Sequence, residues 1–416
     1  MGRPLKSALD SSGRTPFGES YLQAEALSLI SFAEGSRLAT GGFGYLDSNG
    51  KVDPAKPLEA WINCRMTQVF GLAELTELAH SRSYVERGVN GLLDLFEDKV
   101  HGGFFNAVDR SGTPVNTEKL AYDQMFVLLA ASTAMKLGVP RAEELFKKID
   151  TIIDEKFWDS NFQMMHNNWN QDFSTLDTYH GINSNMHAVE ALVAAYEVTL
   201  DEKFRERAFA ICKRAVDQFA KSHEWLLPEH FDEKWNVEAE YNKVQPADPF
   251  KPYGVTIGHL FEWARLALQL KLIAREGEDL QWADEGAAAL YEVAKRYGWG
   301  ADGSDGFIYT MDWQKRPVVT ARMHWVAAEA VMTAYTLWHF THESRYLDDY
   351  NAWWSYIDLH VLDKNSGSWK HELDSHQQVV TATWPGKPDV YHAFNACLSG
   401  MYEMTASFVG LAGQGR

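Results

Sequence analysis

The sequence predicts a closed (α/α)6 barrel, an all-α toroid of six helix pairs with short β-hairpins at its rim, formed as a single domain over residues 1–416. Three observations lead there. A short turn signature returns six times. Two helix-like segments lie between successive copies. The chain is 416 residues long, more than one ordinary core unless a repeat or a large barrel holds it together.

The signature is a small residue or Gly, then aromatic and apolar residues, an Asp, a polar turn and a closing Val or Pro. It reads Gly42-Phe43-Gly44-Tyr45-Leu46-Asp47 closing at Val52, and Gly103-Phe104-Phe105-Asn106-Ala107-Val108-Asp109 closing at Pro114. A degenerate copy runs from Phe162 to Asn170. The others are Leu227-Pro228-Glu229-His230-Phe231-Asp232, Gly306-Phe307-Ile308-Tyr309-Thr310-Met311-Asp312 and Gly367-Ser368-Trp369-Lys370-His371-Glu372-Leu373-Asp374. The markers Asp47, Asp109, Asn170, Asp232, Asp312 and Asp374 are spaced by 62, 61, 62, 80 and 62 residues. Alternating apolar residues around an Asp/Gly/Asn turn read as a β-hairpin.

Between hairpins, residues 60–79 place Trp61, Ile62, Met66, Val69, Phe70, Leu72, Ala73 and Leu75 with a helical period, and 84–96 follows as a second helix. The later pairs are 118–137 with 140–157, 185–198 with 204–220, 256–275 with 280–297, and 320–340 with 344–360. A first helix near 18–36 and a last one over 391–409 complete six pairs. Six units suit a closed ring better than an open solenoid. The long fourth interval comes from a loop over 237–252, rich in polar residues and broken by Pro246, Pro249 and Pro252. It leads into the helix of His259 and reads as a lid or wall over a pocket.

Composition narrows the function. Hydrophobic residues are 45% and charged residues 23%, the balance of a globular chain. A net charge of −18 argues against nucleic acid or an anionic membrane as partner. The 15 Trp and 17 Tyr residues suit the walls of a sugar site, and equally a core. Cys64, Cys212 and Cys397 form no CxxC and read as reduced thiols of a cytoplasmic protein, monomer or homo-oligomer. Residues 1–21 hold no signal-type apolar stretch, and no apolar run reaches the ~18 residues of a membrane span.

The chemistry-bearing residues gather at helix starts. His259 and Glu262 lie three apart and share a helical face, so that a carboxylate can tune an imidazole. Trp61 and Arg65 are four apart, as are Trp325 and Glu329. Asn183 and His187 open a third helix and His392 opens the last. In a toroid these starts meet at one rim, the convergence a pocket needs. No HExxH is present, and His371 and Glu372 are strand neighbours that face opposite ways. Neither phosphate-binding glycine pattern nor a G-x-S-x-G elbow occurs. The reading is therefore of no metal and no cofactor.

Taken together, Trp61-xxx-Arg65, Asn183-Ser184-Asn185-Met186-His187, Tyr253-Gly254-x-Thr256-x-Gly258-His259-x-x-Glu262-Trp263-x-Arg265, Trp325-xxx-Glu329 and Asp389-x-Tyr391-His392 resemble the N-acylglucosamine 2-epimerase superfamily. Within it they resemble the aldose–ketose isomerase branch acting on D-mannose and related monosaccharides. The likeness spans almost the whole chain. It implies a metal-free cis-enediol mechanism, with His392 moving a proton between C2 and C1 and His259 assisting ring opening. Glu262 would hold the tautomer of His259. Arg65, His187, Asn183 and Glu329 would grip hydroxyls, with Trp61, Trp325 and Trp384 around them, the last two as stacking walls. A 2-epimerase is the alternative, with both histidines at C2. A sulfosugar such as sulfoquinovose is disfavoured, because the loop before the His259 helix offers only Lys251 beside Asp248. An inverting glycosidase would need two facing carboxylates, and no such pair is evident.

Overall fold

A computed structural model describes residues 15–412. Among them twelve α-helices alternate between two concentric rings. The inner ring comprises α2 (Ala60–Leu75), α4 (Ala121–Lys136), α6 (Ile182–Thr199), α8 (Ile257–Leu270), α10 (His324–Thr341) and α12 (Tyr391–Met401). The outer ring comprises α1 (Glu19–Ala33), α3 (Arg82–Gly91), α5 (Ala142–Ile152), α7 (Glu202–Lys213), α9 (Gln281–Gly298) and α11 (Ser344–Tyr356). Each inner helix packs on its inner neighbours, α12 packs back on α2, and the first helix pairs with the last. That closes the ring, as the six-unit repeat predicts. Inner helices are buried on nearly every side, since they face both the barrel axis and the outer ring. Outer helices bury one stripe. Four of them run on into a wider π-type turn (Leu92–Phe96, Ile153–Phe157, Arg214–Ala220 and Ile357–Val361).

The marker residue has a physical reason. In each of the six hairpins its side-chain oxygen accepts from a main-chain amide across the turn: Lys51, Thr113, Thr175, Asn236, Arg316 and Gln378 are the donors. Three residues after each marker the backbone turns left-handed, at Gly50, Gly112, Phe173, Trp235, Lys315 and Gln377. Only the first two units use glycine there; the others place larger residues in this strained region.

A second regularity joins one unit to the next. The first amide of an inner helix donates to the carbonyl three residues before the following marker: Ala60 to Asn106, Ala121 to Asn167, Ile182 to Glu229, Ile257 to Tyr309 and His324 to His371, at 2.7 to 3.0 Å. The two residues ahead of each of these helices pair antiparallel with the same hairpin, as in Arg322↔Leu373 and Met323↔Glu372. Helix starts and hairpins are thereby locked at one rim.

The last helix is shorter than its apolar pattern predicts, ending at Met401 instead of residue 409. The chain then turns across the opposite end of the barrel. Tyr402 Oη donates to the Thr76 carbonyl at 3.2 Å, and Gln269 Nε2 donates to that of Thr405 at 3.3 Å. Phe408, Val409 and Leu411 are buried there. Burial of those side chains under the ring, worth about 1.5–3 kcal/mol apiece, wins over continuing the helix into solvent. The three cysteines are free and buried. No helix among the described residues is long and apolar enough to cross a membrane. Most of the 1–21 stretch read for a signal segment lies outside the described residues.

Candidate active site

The inner helices enter the rim in one register, and that register builds the pocket. The second residue of each helix is Trp61, Tyr122, Asn183, Gly258, Trp325 or His392. Four positions on, one turn deeper on the same face, stand Arg65, Phe126, His187, Glu262, Glu329 and Ala396. Five of the six second residues line a single pocket, with Arg65, His187, Glu262 and the out-of-register His259. His324, His371, Pro388 and Asp389, together with Pro249, Phe250 and Trp384, complete it. Its space, open mouth and adjoining solvent included, is about 490 Å³.

Gly258 explains its own exception. A Cβ there would fall 2.2 Å from the Trp325 ring. The missing side chain lets Trp325 lie between the two histidines, 5.3 Å from the ring of His259 and 5.8 Å from that of His392.

Three histidines each carry a carboxylate behind Nδ1. His259 Nδ1 lies 2.9 Å from both oxygens of Glu229. His392 Nδ1 lies 2.9 Å from Glu329 Oε1, and His187 Nδ1 lies 3.4 Å from Glu190 Oε2. A carboxylate only accepts, so Nδ1 carries the proton and Nε2 is left as a lone pair for the pocket. Burial, then the Arg65 guanidinium, hold His392 well below the ordinary imidazole range, so it rests neutral. Burial lowers His187 to about 4, so it serves as a neutral hydrogen-bonding group. Arg65 is the one Lys or Arg lining the pocket among the described residues. It bonds Tyr122 Oη at 2.8 Å and Asp389 at 3.3 Å, beneath the rings of Trp61, Phe126 and Tyr391. Its buried Nε has no protein partner.

Two expected pairings are corrected. Glu262 does not hold His259; Glu229 does, from the neighbouring hairpin. Glu262 lines the pocket with Oε2 unpartnered. The Arg265 guanidinium lies 3.7 Å from its carboxyl and the neutral His187 ring 3.9 Å. Burial and the neighbouring Glu329 push its carboxyl well above the usual range, so it holds a proton. Glu329, expected to grip a hydroxyl, lies behind the pocket wall. Arg265 donates to it from Nε at 3.1 Å and Nη2 at 3.0 Å, and it orients His392. Two triplets, His187–Glu190–Glu262 and Glu262–Glu329–His392, have donor atoms close enough to hold a cation. Arg265 already supplies the positive charge facing their carboxylates.

Trp61, Arg65, Asn183, His187, Trp325 and Trp384 stand in the pocket as the sequence expects. The 237–252 loop forms a wall. Trp313 Nε1 ties it to the Ala239 carbonyl at 2.8 Å, and His230 Nε2 ties it to that of Pro252 at 2.7 Å. Phe250 sets its edge against Trp61, Tyr122 and Trp384. A second cavity adjoins the pocket, sharing Trp61, Tyr122, Asn183 and Phe250 with it, and Lys251 lines that cavity and not the pocket itself. Glu372 positions Trp384, accepting from the amides of Thr383 at 2.8 Å and Trp384 at 3.0 Å. Tyr122, Glu229 and His324 are not among the site residues expected from the sequence, and His371 is expected there only as a strand neighbour of Glu372. Tyr122 opens its helix in the Trp61 register. Glu229 and His371 both stand three residues before a marker, so the repeat itself could have found them.

A family model described as N-acylglucosamine 2-epimerase (GlcNAc 2-epimerase) matches residues 41–396. A D-mannose isomerase of Thermobifida fusca is 39% identical over 391 residues, covering 94% of this chain and 96% of that protein. A D-mannose isomerase of Pseudomonas cannabina pv. alisalensis is 37% identical over 388 residues, covering 92% and 93%. A crystal structure of a D-mannose isomerase superposes with a TM-score of 0.87 at 25% identity, covering 93% of this chain and 99% of that one.

Proposed function

The chain belongs to the N-acylglucosamine 2-epimerase family, and on that premise we propose that it is an aldose–ketose isomerase interconverting D-mannose and D-fructose. D-Lyxose and D-xylulose form the related pentose pair. The observation that carries this reading is the pair of carboxylate-backed histidines, His259 and His392, flanking Trp325 in one buried pocket. Relatives at 37–39% identity that are D-mannose isomerases support the substrate. A single lining cation, already shared with Asp389, supports a neutral sugar over a sulfonated one.

In this mechanism His259 Nε2 takes the proton of the anomeric hydroxyl and passes it to the ring oxygen as the pyranose opens. His392 Nε2 then takes the proton from C2 of the open aldose while negative charge develops on the carbonyl oxygen at C1. Arg65 opposes that charge. In the cis-enediolate the O2 proton passes to O1, and the O2 oxyanion so formed collapses to the ketone as His392 returns its proton to C1. General base catalysis supplies roughly 10²–10⁴-fold, so the rest of the acceleration falls to fixed charge and donors around the enediolate. Arg65 and the protonated Glu262 are placed for it. His187 and Asn183 bind hydroxyls, and Trp325 and Trp384 stack on the sugar.

Incubation with D-mannose and assay for D-fructose tests the reading. D-Fructose from the wild type and none from His392→Gln is the expected result. D-Glucose as the main product would make the protein a 2-epimerase instead.

A further inference from the structure

The stacked rings of His324 and His371 take no part in these proton transfers, yet both line the pocket. Their centroids are 3.7 Å apart and their planes differ by 24°. Hydrogen bonds assign the tautomers. The His371 carbonyl accepts from the His324 amide at 3.0 Å and lies 3.4 Å from His324 Nδ1. A carbonyl cannot donate, so Nδ1 bears the proton and Nε2 is a bare lone pair. That Nε2 is buried without any protein partner. His371 Nε2 donates to the Asp389 carbonyl at 3.2 Å. This ties the stack to the segment that carries Asp389 and His392. Two imidazolium rings would repel at this separation, and burial lowers both groups, His324 to about 4.

We propose that His324 is a specificity-determining residue whose bare Nε2 accepts a hydrogen bond from one sugar hydroxyl away from the reacting C1–C2 unit. The proposal rests on the sugar-isomerase reading above and goes beyond it. A buried acceptor with no protein partner is satisfied by water or by a ligand that donates, and a ligand that displaces the water and sets a bare carbon there leaves it unpaired. A site built this way separates a hydroxyl from its deoxy counterpart far better than apolar shape alone does. The stack holds the ring rigid, so little order is lost when the sugar binds.

The test compares wild type, His324→Phe and His324→Gln on D-mannose and on its 3-deoxy, 4-deoxy and 6-deoxy forms. Phe keeps a ring against His371 and removes the acceptor; Gln keeps an acceptor oxygen. Each pair is read by ketose formation and by ligand quenching of tryptophan fluorescence, since Trp61, Trp325 and Trp384 line the pocket. In the wild type one deoxy sugar should fall roughly 10- to 100-fold below the other two. His324→Phe should bring D-mannose down to the level of that one analogue and leave the analogue itself unchanged, with partial recovery in His324→Gln. Equal weakening of all four sugars in His324→Phe would assign the ring to support of the wall alone and overturn the proposal. So would a wild type indifferent to every deoxy position. Wild type that binds these sugars but makes no ketose would refute the isomerase reading, and the fluorescence series would still decide on His324.

Discussion

Replacing Glu229 by Gln separates the pairing found here from the one expected on helical spacing. Both Glu229 oxygens lie 2.9 Å from His259 Nδ1, and the residue is 4% exposed. Gln keeps the volume and removes the charge. When His259 carries its second proton, the contact behind it drops from an ion pair to a hydrogen bond with a neutral acceptor, a loss of about 1–2 kcal/mol, or roughly 5- to 30-fold in rate. An amide that turns its NH2 toward Nδ1 would also flip the tautomer and block Nε2, adding to the loss. Glu229 does not line the pocket, so kcat for D-mannose should fall about tenfold or more while KM stays within about twofold. Glu262→Gln should be milder, because a protonated carboxyl and a carboxamide both offer a donor. Steady-state ketose formation with both variants, alongside thermal melts to check folding, decides the matter. Unchanged kcat in Glu229→Gln, or a larger loss in Glu262→Gln, would refute the reasoning.

Further outcomes follow from the same geometry. Gly258→Ala would drive a methyl group to 2.2 Å from the Trp325 ring and should cut kcat/KM by about tenfold or more; full activity would mean that Trp325 need not lie between the histidines. Because His392 must be neutral to act and sits below the ordinary 6.5, kcat/KM should be flat through neutrality and fall only below pH 6.5. An acid limb centred above 6.5 would contradict its role. His187 and His324 titrate near 4 when folded against 6.5 unfolded. The unfolded chain binds more protons in that window, so stability is fully present above pH 6.5. It falls as pH drops toward 4, by up to about 3 kcal/mol per residue. A melting temperature unchanged between pH 7 and 4.5 would show that these rings are protonated when folded. Phe250→Ala should raise KM several-fold by opening the wall to the second cavity; an unchanged KM would remove the 237–252 loop from substrate binding.

The barrel was legible because its periodic signal has a local cause. A side-chain acceptor at the marker and a left-handed residue three later are requirements of the turn itself, so they recur even where Asn170 stands in for Asp. Residues at helix starts were legible for the same reason, since Trp61, Asn183, Trp325 and His392 share one register. Pairings across elements were not. Spacing within a helix puts Glu262 on the face of His259, but it carries no trace of Glu229 arriving from a hairpin. Strand alternation says that His371 and Glu372 face opposite ways without saying that one side is the pocket and the other holds Trp384. The stretch after Met401 is apolar enough for either a helix or a floor under the ring, and only the open end of the barrel decides between them.

The central claim is that one buried imidazole, His392, moves a proton from C2 to C1 of a neutral aldose. Proton NMR of D-mannose with the protein in D₂O tests it most directly. The account predicts D-fructose in which part of the C1 hydrogen is the proton formerly on C2, since a buried base shields it from exchange, and loss of both signals in His392→Gln. D-Glucose carrying deuterium at C2 in place of fructose, or fructose formed undiminished by His392→Gln, would contradict it.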